Sequence, residues 1–110
     1  MNLPGAQHAI VEIEKLRDYS LSPDHPVGKH KARVFEASLG LRQGHAEEIQ
    51  RRLLEAARTY ECIATKLTPH GQHYEMDFMF TRAGKSALVR AVWIIRHGEK
   101  SPRLVTFHVL

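Results

Sequence analysis

One cysteine, one tryptophan, no apolar run of membrane-spanning length and no low-complexity stretch: the 110-residue sequence is marked first by what it omits. The lone Cys62 excludes an internal disulfide and suits a reducing cytoplasm. It lies in an alternating apolar stretch and reads as a small buried hydrophobe. No segment approaches the ~20 apolar residues of a membrane span, so no membrane association is expected. The start, MNLPGAQHAIVEIEK, lacks a basic region followed by an apolar one, so no signal peptide is read and a cytoplasmic location is expected. HExxH and CxxC are both absent. His25/His30 and His70/His73 could pair on a metal, but no cysteines complete a zinc site. Gly84-Lys85-Ser86 has the ending of a phosphate-binding loop without its first glycine. A serine nucleophile elbow is missing. Neither a metal nor a cofactor is expected.

What is present is a single domain, residues 1–110, with 43% hydrophobic and 25% charged residues, the balance of an ordinary globular protein. Its organising stretch is Ala87–Arg96, ALVRAVWIIR, apolar on both phases and bounded by Ala83-Gly84 and Gly98. Such a run reads as a central covered strand. Residues 1–58 read as mainly helical: Glu14–Leu21, Lys29–Leu39 ending at Gly40, and Gly44–Arg58. Residues 1–8 read as a loose lead-in. Ala9–Ile13 is too brief to assign to strand or helix. In the third helix, Glu47–Arg51 and Glu48–Arg52 stand at i,i+4 in the favourable order, which reads as a wet surface.

From residue 60 the period switches to alternation. Strands are expected at Glu61–Leu67, Gln72–Phe80, Lys85–His97 and Arg103–Val109. The fold class is therefore α+β, with N-terminal helices on one face of an antiparallel sheet of about four strands. A two-residue hairpin loop at Ala83-Gly84 sets the register. Tyr74, Met76, Phe78 and Phe80 then share a covered face with Ala87, Val89, Ala91, Trp93 and Ile95. His73, Glu75, Asp77, Arg90 and Arg96 share the other. On the last strand, Val105, Phe107 and Val109 are assigned to the covered face, and Leu104, Thr106 and His108 to the open one. An open sheet edge could also pair two copies into a homodimer.

Charge is uneven. Residues 1–77 hold ten Lys/Arg against eleven Asp/Glu, whereas residues 78–110 hold six against one. A basic sheet attracts phosphate-rich partners, although such charges also keep a sheet soluble. Lys29, His30, Lys31 and Arg33 crowd a helix start, which is either a solvated end or an anion site. Imidazole, carboxylate, guanidinium and hydroxyl groups on one sheet face suit metal-free RNA cleavage: one group takes the 2′-hydroxyl proton, another protonates the leaving oxygen, and cations steady the phosphorane. Asp77 and Arg90 read equally as a cross-strand ion pair.

His25-Pro26-Val27-Gly28-Lys29-His30-Lys31-Ala32-Arg33-Val34-Phe35, completed by Leu39-Gly40, resembles the His-Pro-x-Gly-x-x-Lys-Ala-x-x-Phe…Leu-Gly pattern of an uncharacterised bacterial toxin-like family. Gly71-Gln72-His73-Tyr74, Val92-Trp93-Ile94 and Pro102-Arg103-Leu104-Val105-Thr106 extend the resemblance through the C-terminal half. The resemblance implies a small toxin with a small antitoxin-like partner protein. The helices-then-sheet order is similar, in architecture, to barnase-like and RelE-like ribonucleases. That likeness implies an endoribonuclease acting on RNA, with His25, Lys31, Arg90, Thr106 and His108 as catalytic candidates. Lys29, His30, Arg33, Arg96 and Arg103 become candidate RNA contacts. The rival is a non-catalytic RNA- or protein-binding module of a two-gene unit.

Overall fold

The computed structural model describes residues 1–110 as three helices followed by a four-stranded antiparallel meander, an α+β fold. The helices are α1 (Ile13–Lys15), α2 (Lys29–Leu39) and α3 (Ala46–Thr59). The strands are β1 (Ile63–Thr68), β2 (Gly71–Arg82), β3 (Lys85–Arg96) and β4 (Arg103–Val109), adjacent in chain order.

The β2–β3 hairpin sets the rest of the sheet. Ala83 (φ 50°) and Gly84 (φ 78°) form its two-residue turn, with the left-handed backbone that matches strand twist. Arg82 opposes Lys85, and the ladder runs unbroken to Gly71 opposite Arg96. On the covered face large and small side chains alternate: Met76 opposes Ala91, and Phe80 opposes Ala87. Ala91 also opposes Phe107 of β4, so one methyl sits between two large neighbours. Trp93, Phe80, Phe107, Met76 and Val89 are fully buried. The helices supply Phe35, Leu39, Ile49 and Leu53 to the same 21-residue cluster. Phe35 stacks on Phe107 at 5.0 Å between centroids. Each such side chain contributes roughly 1.5–3 kcal/mol through burial.

Three local expectations are corrected and one open reading is resolved. The lead-in is tied down: Asn2 bridges Glu61, and Leu3 is buried. Ala9–Ile13, left open between strand and helix, divides: Ile10 forms one parallel bridge to Arg103, and α1 starts at Ile13. Beyond α1 the backbone widens into a π-helical turn, Leu16–Ser20, with Leu21 N–H donating to Leu16 C=O at 2.8 Å. The wider turn lets Leu16 and Leu21, five apart, both reach the core. Neither i,i+4 pair of α3 closes as an ion pair, and Glu48–Arg52 gives way to contacts with the sheet. Glu48 binds Arg82 at 2.8 Å, and the Arg52 guanidinium lies 3.9 Å from the Phe80 centroid.

The correction that shapes the site falls on β4. Val92 opposes Thr106, but Trp93 opposes Leu104, so Val105 is the extra residue of a β-bulge. Leu104 therefore joins the covered face (4% exposed) and Val105 faces solvent (39%), the reverse of strict alternation.

Candidate active site along the edge of β4

The loop that leads into α2 is built around His25. Its Nδ1 accepts from the N–H groups of Val27 (3.1 Å) and Gly28 (2.9 Å), satisfying donors that the helix start leaves free. A Cβ on Gly28 would stand 2.0 Å from the Tyr19 carbonyl oxygen, so only glycine lets α2 start against the π-helical turn. Ala32, Phe35 and Leu39 then turn inward, and Gly40 (φ 65°) ends the helix. Packing and capping thus account for most of the His-Pro-x-Gly…Leu-Gly string. They do not account for Lys31.

Lys31 reaches β4, where its Nζ donates to Thr106 Oγ1 at 2.7 Å. The same Nζ lies 5.5 Å from the centroid of the Tyr19 ring, and the His25 ring meets Tyr19 edge-on at 4.7 Å. Burial pushes the Lys31 ammonium below the usual lysine pKa. The cleft holding Tyr19, Lys31 and Thr106 has a volume of about 330 Å³. Lys31 also borders a shallower hollow with His30 and His108. Burial foremost, then the Lys31 and Arg90 charges, hold His108 below the usual histidine pKa.

Arg90 stands opposite both Asp77 and His108. Its Nε and Nη2 donate to the two Asp77 carboxylate oxygens at 2.7 and 2.9 Å, and Nη1 lies 3.3 Å from Glu75. Asp77 raises the Arg90 pKa, and Arg90 lowers that of Asp77. The middle of the open face is therefore neutralised, and Lys31, without a carboxylate partner, stands at the β4 edge.

His25, Lys31, Thr106, His108 and His30 come together, with Arg90 behind His108. Arg96 and Arg103 meet farther along β4, in a cleft with Lys15, His70 and His73. Lys29 and Arg33 do not join them; they line a separate cleft with Leu41 and Arg42. Sequence reasoning missed Tyr19 and Lys15 as site residues. Tyr19 carries helical spacing that reads as core, and nothing in the sequence marks Lys15. No group of three or more His, Cys, Asp or Glu side chains is placed to hold a metal ion, and no helix is long and apolar enough to cross a membrane.

Helices on one face of an antiparallel meander, with a basic, histidine-bearing cleft along one edge, define the class. The chain belongs to the family described as "Domain of unknown function (DUF6883)", whose model matches residues 2–110. One chain of a solved structure, "Contact-dependent growth inhibition toxin - immunity protein complex from Klebsiella pneumoniae 342", shares its fold. The TM-score is 0.65 at 14% identity, over 96% of both chains. No curated protein matches the chain.

Proposed function

We propose that this chain is a metal-independent endoribonuclease serving as the toxin of a two-protein unit, held in check by a small cognate partner that covers its basic edge. The observation that carries the reading is the Lys31–Thr106 contact, flanked by Tyr19 with His25 on one side and His108 on the other. These residues come from the π-helical turn, a loop, a helix and a strand, far apart in sequence. The fold shared with one chain of a toxin–immunity complex supports the toxin role and the small partner.

The scissile phosphate rests on Lys31 Nζ and Thr106 Oγ1. His108 stays neutral near pH 7 because of its lowered pKa and takes the 2′-hydroxyl proton. The 2′-oxygen bonds to phosphorus and the P–O5′ bond breaks. The Lys31 ammonium, made more acidic by burial, gives its proton to O5′. The products are a 2′,3′-cyclic phosphate and a 5′-hydroxyl end. His25 cannot act as the base: two backbone N–H groups occupy Nδ1, so Nε2 keeps its hydrogen and donates to a phosphate oxygen. Arg90 is held by two carboxylates and acts through the field it puts on His108.

That capture of Arg90 also favours the second reading, a module that binds RNA or protein without cutting. Purified protein incubated with bacterial RNA and run on a denaturing gel separates the two. Catalysis gives cyclic-phosphate ends, with a loss of roughly 10²–10⁴-fold in His108→Ala. Intact RNA bound with a steep salt dependence selects the binding module.

A further inference from the structure

The cleft at the Arg103 end of β4 has no part in the chemistry proposed above, yet it is built like a polyanion site. It has a volume of about 520 Å³, and its charged or titratable lining is Lys15, His70, His73, Arg96 and Arg103, with no carboxylate. Arg96 is exposed and forms no ion pair. His73 Nδ1 and Arg103 Nε are buried without a hydrogen-bond partner. Arg103 forms long ion pairs with Glu12 and Glu99, both at 3.6 Å and beyond hydrogen-bond reach. Buried donors and acceptors without partners are costly, and a ligand can relieve that cost.

This cleft runs into the one at Lys31. Both are lined by Lys15, Leu104 and Val105, and Lys15 Nζ is fixed on the Leu104 carbonyl at 3.3 Å. Arg103 and Thr106 flank the Val105 bulge and stand opposite Ile94 and Val92, two residues apart on β3, or about 7 Å at 3.3 Å per residue. That exceeds a single step of roughly 3.4 Å between stacked nucleotides. His70 and His73 offer imidazole planes on which an unpaired base can stack.

We propose that the Lys15–Arg96–Arg103 cleft is a second phosphate subsite, and that the groove along β4 takes single-stranded RNA of about three nucleotides. The proposal rests on reading the Lys31 cleft as an RNA site, but not on that site being catalytic. The test is fluorescence anisotropy of the full chain with 2′-O-methyl oligonucleotides from about two to eight nucleotides long, which lack the attacking hydroxyl. Wild-type affinity should climb to about three nucleotides and then level off. Arg96→Gln should remove that climb, up to about fivefold, and flatten the salt dependence by about one phosphate contact. Because Arg96 is exposed, its variant should melt with the wild type. Two results overturn the subsite: Arg96→Gln matching wild type at every length, or a duplex of equal length binding as tightly as the single strand. Length-dependent binding alongside uncut natural RNA removes the nuclease reading and leaves the subsite. Cleavage without any length dependence does the reverse.

Discussion

Lys31 holds its charge where burial opposes it, and its only hydrogen-bond partner is the neutral Thr106 hydroxyl. A purely structural residue at that position would be apolar. Lys31→Met should therefore raise the melting temperature by about 1–3 °C in calorimetry while abolishing RNA cleavage. A fall in stability would mark Lys31 as a structural strut instead. Gly28 behaves oppositely. Its backbone dihedral suits any residue (φ −63°), but a Cβ would collide with the Tyr19 carbonyl. Gly28→Ala should cost roughly 2–3 kcal/mol in urea unfolding, because α2 must pull away from the π-helical turn. At this scale the sequence was legible wherever a side chain met a local rule. The inward spacing of Ala32, Phe35 and Leu39 could be read directly, as could the stop at Gly40. Tyr19 could not, because its spacing is that of a core residue, while its ring faces His25 and Lys31.

Elements were legible where the period was clean. The alternation from Tyr74 to Phe80, closed by Ala83-Gly84, sets the β2–β3 register residue by residue. Two departures were not legible, and each adds one residue to a regular period. The π turn after α1 does so in a helix, and the bulge at Val105 does so in a strand. Neither leaves a residue-type signature; each is fixed by what the flanking side chains must reach. Because Leu104 and Thr106 would alternate normally without Val105, deleting Val105 should give a regular ladder and a folded protein. Far-ultraviolet circular dichroism should be unchanged. Cleavage should fall, because the groove beside Thr106 loses the backbone kink that opens it. Retained activity would show that the bulge does not shape the site.

Across the whole molecule, the sequence-level charge imbalance pointed to the C-terminal half, yet the cations do not cover the sheet evenly. Asp77 and Glu75 neutralise Arg90 at its centre. The groove instead combines residues of both halves, Lys15 and Lys31 with Arg96 and Arg103, and no count over consecutive residues could show that. Titration follows from the same arrangement. Asp77 and Glu48 have folded pKa values lowered by Arg90 and Arg82. The unfolded chain thus binds more protons as the pH falls through about 4, and that stabilisation is lost in acid. His108 is also lowered, so its effect has the same sign but begins near pH 6.5, the usual histidine value. The melting temperature should be level between about pH 7 and 8, decline first below about 6.5 and again below about 4.5. His108→Gln should erase the first decline only. A first decline that survives in that variant would assign it to another histidine.

Trp93 is the sole indole of the chain, and it is wholly enclosed between the sheet and the helices. Its emission therefore reports loss of the interior, and it lies one side chain from the groove, since its cross-strand partner Leu104 lines both clefts. Unfolding can be followed by this intrinsic light, without attaching a dye to the protein.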